Sequence, residues 1–407
     1  MATMSPTTRT TLLAGCAILA LTFAGCSTDK GVSAGTATTA KSATTSKAPT
    51  TAAATKGAVY PGTQWDKVDP AAAGLDAKVL DEMATTAQTA GSNCLLVTRK
   101  GKLVDEHYWN GTGPETAPQE VYSASKSFTS ALVGMAHDDG KLDVTDKASK
   151  FIPQWVGTPS ADVTVENLLS NDSGRHYDVV TDYGGMAAKA DDKSAFAVGL
   201  GQDAPPGTVW KYNNSAIQTL EPVFRAATGK DLSEFAQQRL FAPLGMAHSS
   251  LIRDKAGNPL TFMGVQSTCR DMARFGYLML RQGNWDGKQL LSKEWVADST
   301  GRSSQKLNAA YGWLWWLNRT GPQQGDDQAM GDTSANPTTT AQKIDRMIPG
   351  APEDMFFALG LGGQVIAVDP GSETVVVRLG PATYPDGTPK YKARDAAVLA
   401  GKGVTGG

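Results

Sequence analysis

Apolar residues along this 407-residue chain change their period several times, and each change predicts an element. NCLLVTRKGKLVDEHYW, residues 93 to 109, is two apolar runs about a Lys-Gly pair, which predicts a β-hairpin. GQVIAVDPGSETVVVRLG, residues 363 to 380, predicts a second hairpin that turns at Asp-Pro-Gly-Ser. Between them the period lengthens. Helices are expected over Ser123 to Asp138, Leu232 to Arg239, Thr268 to Gln282 and Leu291 to Ser299. In the second of these Leu232, Phe235, Ala236 and Leu240 share one face, and Pro-Leu-Gly ends the run. Strand pairs towards both ends with helices between them predict an α+β domain whose terminal hairpins share one antiparallel sheet. Residues 319 to 354 are a long polar run before the last hairpin, a length usual for a functional lid or a disordered loop. No internal repeat is present.

The N-terminus follows another pattern. After Arg9 comes TLLAGCAILALTFAGC, an apolar run too short for a comfortable membrane span. It ends in Phe23-Ala24-Gly25-Cys26, which resembles a bacterial lipoprotein signal with Cys26 as the lipidated residue. Leu13-Ala14-Gly15-Cys16 fits that pattern more closely, but too little apolar sequence precedes it. Residues 27 to 60 are mostly Ser, Thr, Ala, Gly and Lys, with little to bury, and read as a flexible tether. The expectation is an exported protein, lipid-anchored at the outer face of the bacterial cell membrane, with one domain over residues 61 to 400.

Composition narrows the function. The chain is 41% hydrophobic and 19% charged with a formal net charge of −2, a globular balance with no basic block for a nucleic-acid partner. H-E-x-x-H, C-x-x-C and G-x-x-x-x-G-K-[ST] are missing, so no metal or nucleotide cofactor is expected.

Ser-x-x-Lys occurs three times, as Ser27/Lys30, Ser303/Lys306 and Ser123/Lys126, so the pattern alone says little. Only the last opens a predicted helix, where positions three apart share a face. There the Ser123 amide is free of helical bonding, and Lys126 can take the hydroxyl proton if burial keeps it neutral. Without other support, a capped helix start would be the preferred reading. Two further stretches shift the balance. Tyr212-x-Asn214 follows a Pro-Gly turn and Trp210, and FFALGLGGQVIAVDP, residues 356 to 370, has a glycine-rich bend between apolar strands. A tyrosine can relay a proton, an asparagine can hold a substrate amide, and a glycine-rich edge lets a backbone N–H approach an oxyanion.

Taken together, Ser-Ala-Ser-Lys (123 to 126), Asn-Leu-Leu-Ser-Asn-Asp-Ser-Gly (167 to 174), Pro-Gly-Thr-Val-Trp-Lys-Tyr-Asn-Asn (206 to 214) and Gly-Leu-Gly-Gly-Gln (360 to 364) resemble the penicillin-recognising serine hydrolases. That family includes class C β-lactamases, D-alanyl-D-alanine carboxypeptidases, esterases and 6-aminohexanoate-oligomer hydrolases. The resemblance implies a β-lactamase/transpeptidase-like fold, with an antiparallel sheet flanked by helices, an all-helical subdomain and the serine in the cleft between them. It implies Ser123 as the acylated nucleophile, Lys126 as its base, Tyr212 as the proton donor to the leaving group and Asn214 as the substrate-orienting amide. Gly360 and Leu361 would border the substrate, the Leu361 and Ser123 N–H groups forming the oxyanion hole. Where the family offers a cationic triplet, Lys-Thr-Gly or His-x-Gly, this chain has Ala358-Leu359-Gly360. A site without that cation would bind carboxylate-bearing β-lactams poorly. Arg175 and His176 could replace the charge, though a solvated loop face is the expectation for them. Tyr177 and Trp210 could line the pocket, though core packing is the commoner role for either.

The expected function is therefore hydrolysis of a small ester, amide or peptide-like substrate of the aminohexanoate-oligomer type. A β-lactamase or D-alanyl carboxypeptidase, and a catalytically silent binding domain, are the alternatives. In an exported protein Cys94 and Cys269 often would pair; two buried thiols is the other possibility.

Overall fold

A computed structural model describes residues 58–113, 118–301, 306–324, 343–382 and 390–405. The signal segment with Cys26, the tether up to residue 57, Ser303 and residues 325–342 lie outside the described residues.

Both predicted hairpins form. Strands β1 (Cys94–Arg99) and β2 (Lys102–Tyr108) turn at Lys100 and Gly101, whose φ values of 50° and 81° give the left-handed bend that matches strand twist. Three strands follow late in the chain, after the short β3 (Trp316–Leu317): β4 (Phe356–Gly360), β5 (Gln364–Asp369) and β6 (Thr374–Leu379). They assemble in the order β2-β1-β6-β5-β4-β3, antiparallel throughout. The two hairpins meet at β1 and β6, in a register running from Cys94 opposite Leu379 to Arg99 opposite Thr374.

Every residue of β1, β4, β5 and β6 is buried, so both faces of the sheet are covered. On one face lie α1 (Ala77–Thr89) and the C-terminal helix α8 (Ala393–Val398), neither of which the periodicity predicts. On the other lies α7 (Cys269–Leu280), capped by the Thr268 side chain, which accepts from the Asp271 N–H. Cys94 of β1 and Cys269 of α7 form a disulfide, with Cα atoms 6.5 Å apart.

Helix α2 (Ser125–Asp138) is buried from Ser125 to Ala136 and runs between the sheet and the helical region. Two of its small polar residues bond to neighbouring segments. Ser127 Oγ donates to the Leu314 carbonyl and Thr129 Oγ1 to the Thr261 carbonyl. The helical region contains α3 (Val165–Ser170), α4 (Lys193–Gly199), α5 (Asn214–Gln218) and α6 (Leu220–Thr228), with a π-helical segment over Val180–Lys189.

Three expectations need correction. The helix predicted from Ser123 starts as a 3₁₀ turn, Tyr122–Ala124, and becomes α-helical at Ser125. The segment predicted over Leu232 to Arg239 is α-helical only for Leu232–Ala236 and then widens into a π turn, Gln237–Phe241. The polar run from 319 to 354 is built at both ends: Gly321–Gln323 pairs with Lys343–Asp345. The Asn318 amide holds the carbonyls of Ile348, Ala351 and Pro352.

Candidate active site

Ser123 sits on the 3₁₀ turn in front of α2, partly exposed, with its N–H unbonded among the described residues. Tyr122 before it is left-handed at φ 47°, a conformation disfavoured for a residue with a side chain. One turn on, Lys126 is 1% exposed. Its Nζ donates to Ser123 Oγ at 2.9 Å and to the Phe262 carbonyl at 2.8 Å. No described carboxylate lies within ion-pair distance of it. Burial lowers its pKa to about 7, and the more distant Asp182 charge pulls the other way. A hydroxyl that solvent reaches thus adjoins an amine that is substantially neutral at physiological pH.

The second segment arrives through backbone contacts. Asn171 ends α3 in the left-handed conformation, φ 60°, and its carbonyl accepts from the Lys211 N–H at 2.9 Å. Gly174 must be glycine: a Cβ would sit 2.1 Å from the Ala204 carbonyl, and its φ is 66°. The Asn213 side chain donates to the Arg175 and His176 carbonyls and caps α5. These bonds hold Tyr212 in place, with its ring centre 4.7 Å from Lys126 Nζ. Burial raises the phenol pKa, and the neighbouring Ser123 hydroxyl opposes that rise. The Tyr212 hydroxyl is buried and has no hydrogen-bond partner among the described residues. Trp210, Tyr311 and Trp316 pack about the Tyr212 ring as an aromatic wall.

Asn214 is buried, and its Nδ2 donates to Asp182 Oδ2 at 2.8 Å. Its Oδ1 is the atom left without a partner. Asp182, in the π-helical segment, also accepts from the Asn214 and Ser215 N–H groups and from Ser215 Oγ. Sequence reading missed Asp182, because VVTDYGGM carries no signal that separates it from a loop acid. Tyr183 beside it is 43% exposed and, with Tyr177, perturbs the Tyr212 phenol, so both lie near it. Tyr177 is half-buried, its N–H bonded to Asp203 Oδ2 at 3.0 Å.

The end of β4 closes the site. A Cβ on Gly360 would lie 2.2 Å from the Val121 carbonyl and 3.2 Å from the Ala124 nitrogen, so the strand abuts the serine turn because this residue is glycine. Leu361 follows at 47% exposure, its N–H unbonded among the described residues. Ala358 is buried within the strand and leaves the edge without a cation. Arg175 is not the solvated loop residue expected: it is 3% exposed and bonded to Ser160 Oγ and the Ala197 and Val198 carbonyls. Segments flanking its loop close over its long side chain. His176 lies between Asp203 and Asp178, at 2.9 and 3.1 Å.

Comparison with known proteins agrees with this geometry. The profile of the beta-lactamase family matches residues 76–400. The chain is 24% identical over 367 residues to a 6-aminohexanoate-dimer hydrolase of Paenarthrobacter ureafaciens, covering 82% of this chain and 85% of that protein. It is 29% identical over 172 residues to a D-aminopeptidase of Cereibacter sphaeroides, 39% of this chain and 32% of that one. Among solved structures, an octameric penicillin-binding protein homologue from Pyrococcus abyssi superposes with a TM-score of 0.57 at 17% identity, over 79% of this chain and 75% of that one.

Proposed function

Because the chain belongs to the beta-lactamase family and is a serine hydrolase by that membership, we propose that it cleaves an ester or amide through an acyl-enzyme on Ser123. The observation that carries this reading is the Lys126 amine, buried without a counter-charge and 2.9 Å from a solvent-reachable Ser123 hydroxyl. Neutral Lys126 takes the Ser123 proton as Oγ attacks the substrate carbonyl. The oxyanion that forms is received by the free N–H groups of Ser123 and Leu361. The Tyr212 hydroxyl passes a proton to the departing amine or alkoxide and later orients the water that releases the acyl group. Asn214, its amide turned by Asp182, presents Oδ1 to a donor on the substrate.

The substrate class follows from the missing cation. With Ala358 in place of a charged residue, a β-lactam or D-alanyl peptide carboxylate finds no charge-assisted bond at the β4 edge. The likeness to a 6-aminohexanoate-dimer hydrolase over most of both chains supports a linear amide or ester instead. The N-terminal pattern supports export and lipidation at Cys26, which would place the domain outside the bacterial membrane. A fluorophosphonate probe tests the chemistry: peptide mapping is expected to find the label on Ser123, with none on Ser123→Ala. Label elsewhere, or none on the wild type, would refute the nucleophile.

A further inference from the structure

A second recess lies apart from the site just described. Residues 151 to 160, the stretch from Asp192 to Gln202 and helix α6 border a cleft of about 950 Å³, large enough for a small molecule. None of Ser123, Lys126, Tyr212 or Asn214 lines it. Ile152, Pro159, Leu200 and Pro222 make its walls partly apolar, and Arg175 stands among them. The guanidinium carbon lies 4.2 Å from the centre of the Trp155 ring. Its three protein acceptors, Ser160 Oγ and the carbonyls of Ala197 and Val198, are all neutral. The Nε–H makes no hydrogen bond to a described residue.

A buried cation surrounded by neutral groups is unfavourable unless a counter-charge reaches it. Asp203 is the acid that Arg175 senses, and that carboxylate is engaged by His176 and the Tyr177 N–H. Burial lowers the Arg175 pKa to about 10, so it stays charged at neutral pH. The other charged residues of the lining are committed. Asp192 accepts from the Ala195 N–H and Asn258 Nδ2, and Arg225 pairs with Glu221 at 3.3 Å. Asp192 and Arg225 are exposed, whereas Arg175 is the buried charge of the lining.

We propose that this cleft binds a carboxylate carried on an apolar chain, with Arg175 receiving the carboxylate and Trp155 backing the guanidinium. The inference does not depend on the acyl-enzyme chemistry. It is tested on the full chain bearing Ser123→Ala, with arginine Nε labelled for NMR and hexanoate as the probe. The Nε–H resonance that disappears in Arg175→Lys is expected to shift saturably with hexanoate and to ignore hexanamide. Ala226 lines the cleft from an exposed position on α6. Ala226→Glu is expected to weaken hexanoate at least about fivefold through like-charge repulsion, with an unchanged melting temperature. Calorimetry of that variant decides the matter even if Arg175→Lys does not fold. An Arg175 resonance that never moves, equal response to hexanamide, or an unaltered affinity in Ala226→Glu would overturn the proposal.

Discussion

Tyr212 carries a buried hydroxyl with no partner among the described residues, a feature that lowers stability in the resting protein. Its value lies in the reaction, where it would meet a substrate atom. Tyr212→Phe is therefore expected to lower kcat/KM about 10²–10⁴-fold while changing unfolding free energy by no more than about 1 kcal/mol. A steady-state assay beside a denaturant titration checks both halves. Lys126 gives the pH dependence. Its amine acts when neutral, so kcat/KM is expected to fall as pH drops through about 7. The sign for stability follows from the same shift. Between the folded value near 7 and the ordinary lysine value, the unfolded chain holds a proton that the folded chain lacks. Lys126 therefore subtracts stability progressively as pH falls through that window, and the loss levels off below it.

At the scale of elements, Asp182 ties the π-helical segment to the start of α5 through four donors on Asn214 and Ser215. Asp182→Asn is isosteric and removes the charge that favours the Lys126 ammonium, at the cost of turning an amide NH2 towards two of the four donors. The acid limb of kcat/KM is expected to move to lower pH in this variant, and an unmoved limb would show that the carboxylate does not act on Lys126. The disulfide joins β1 to α7 across one face of the sheet, closing a separation of 175 residues. Mass measurement without reductant is expected to show two hydrogens fewer than the free-thiol form. Reduction is expected to lower unfolding free energy by roughly 2–4 kcal/mol. Both are read from the same purified protein.

For the whole molecule, the sheet brings the two ends of the described domain together, and the serine turn meets that sheet through Gly360. A lipid at Cys26 would attach the protein to the membrane, and Cys26→Ala is expected to release it into the soluble fraction on cell fractionation. The hairpins at 93 to 109 and 363 to 380 were legible because each puts turn residues between apolar runs, a local signal. Helices α1 and α8 were not. They cover the second face of the sheet, and the need for that cover arises only once β1, β5 and β6 lie side by side.

The local pattern determined the hairpins, the helix behind Ser123 and, through the order of four motifs, the family with its expected nucleophile, base and phenol. Those motifs are legible because each depends on residues within one turn or bend. Tertiary structure alone decided which polar atoms remain free: Asp182 takes the Asn214 amide nitrogens, Tyr212 keeps an unbonded hydroxyl, and Arg175 is enclosed beside Trp155. Burial and partnership are properties of segments distant in the chain that meet in space, and no stretch of sequence records them by itself.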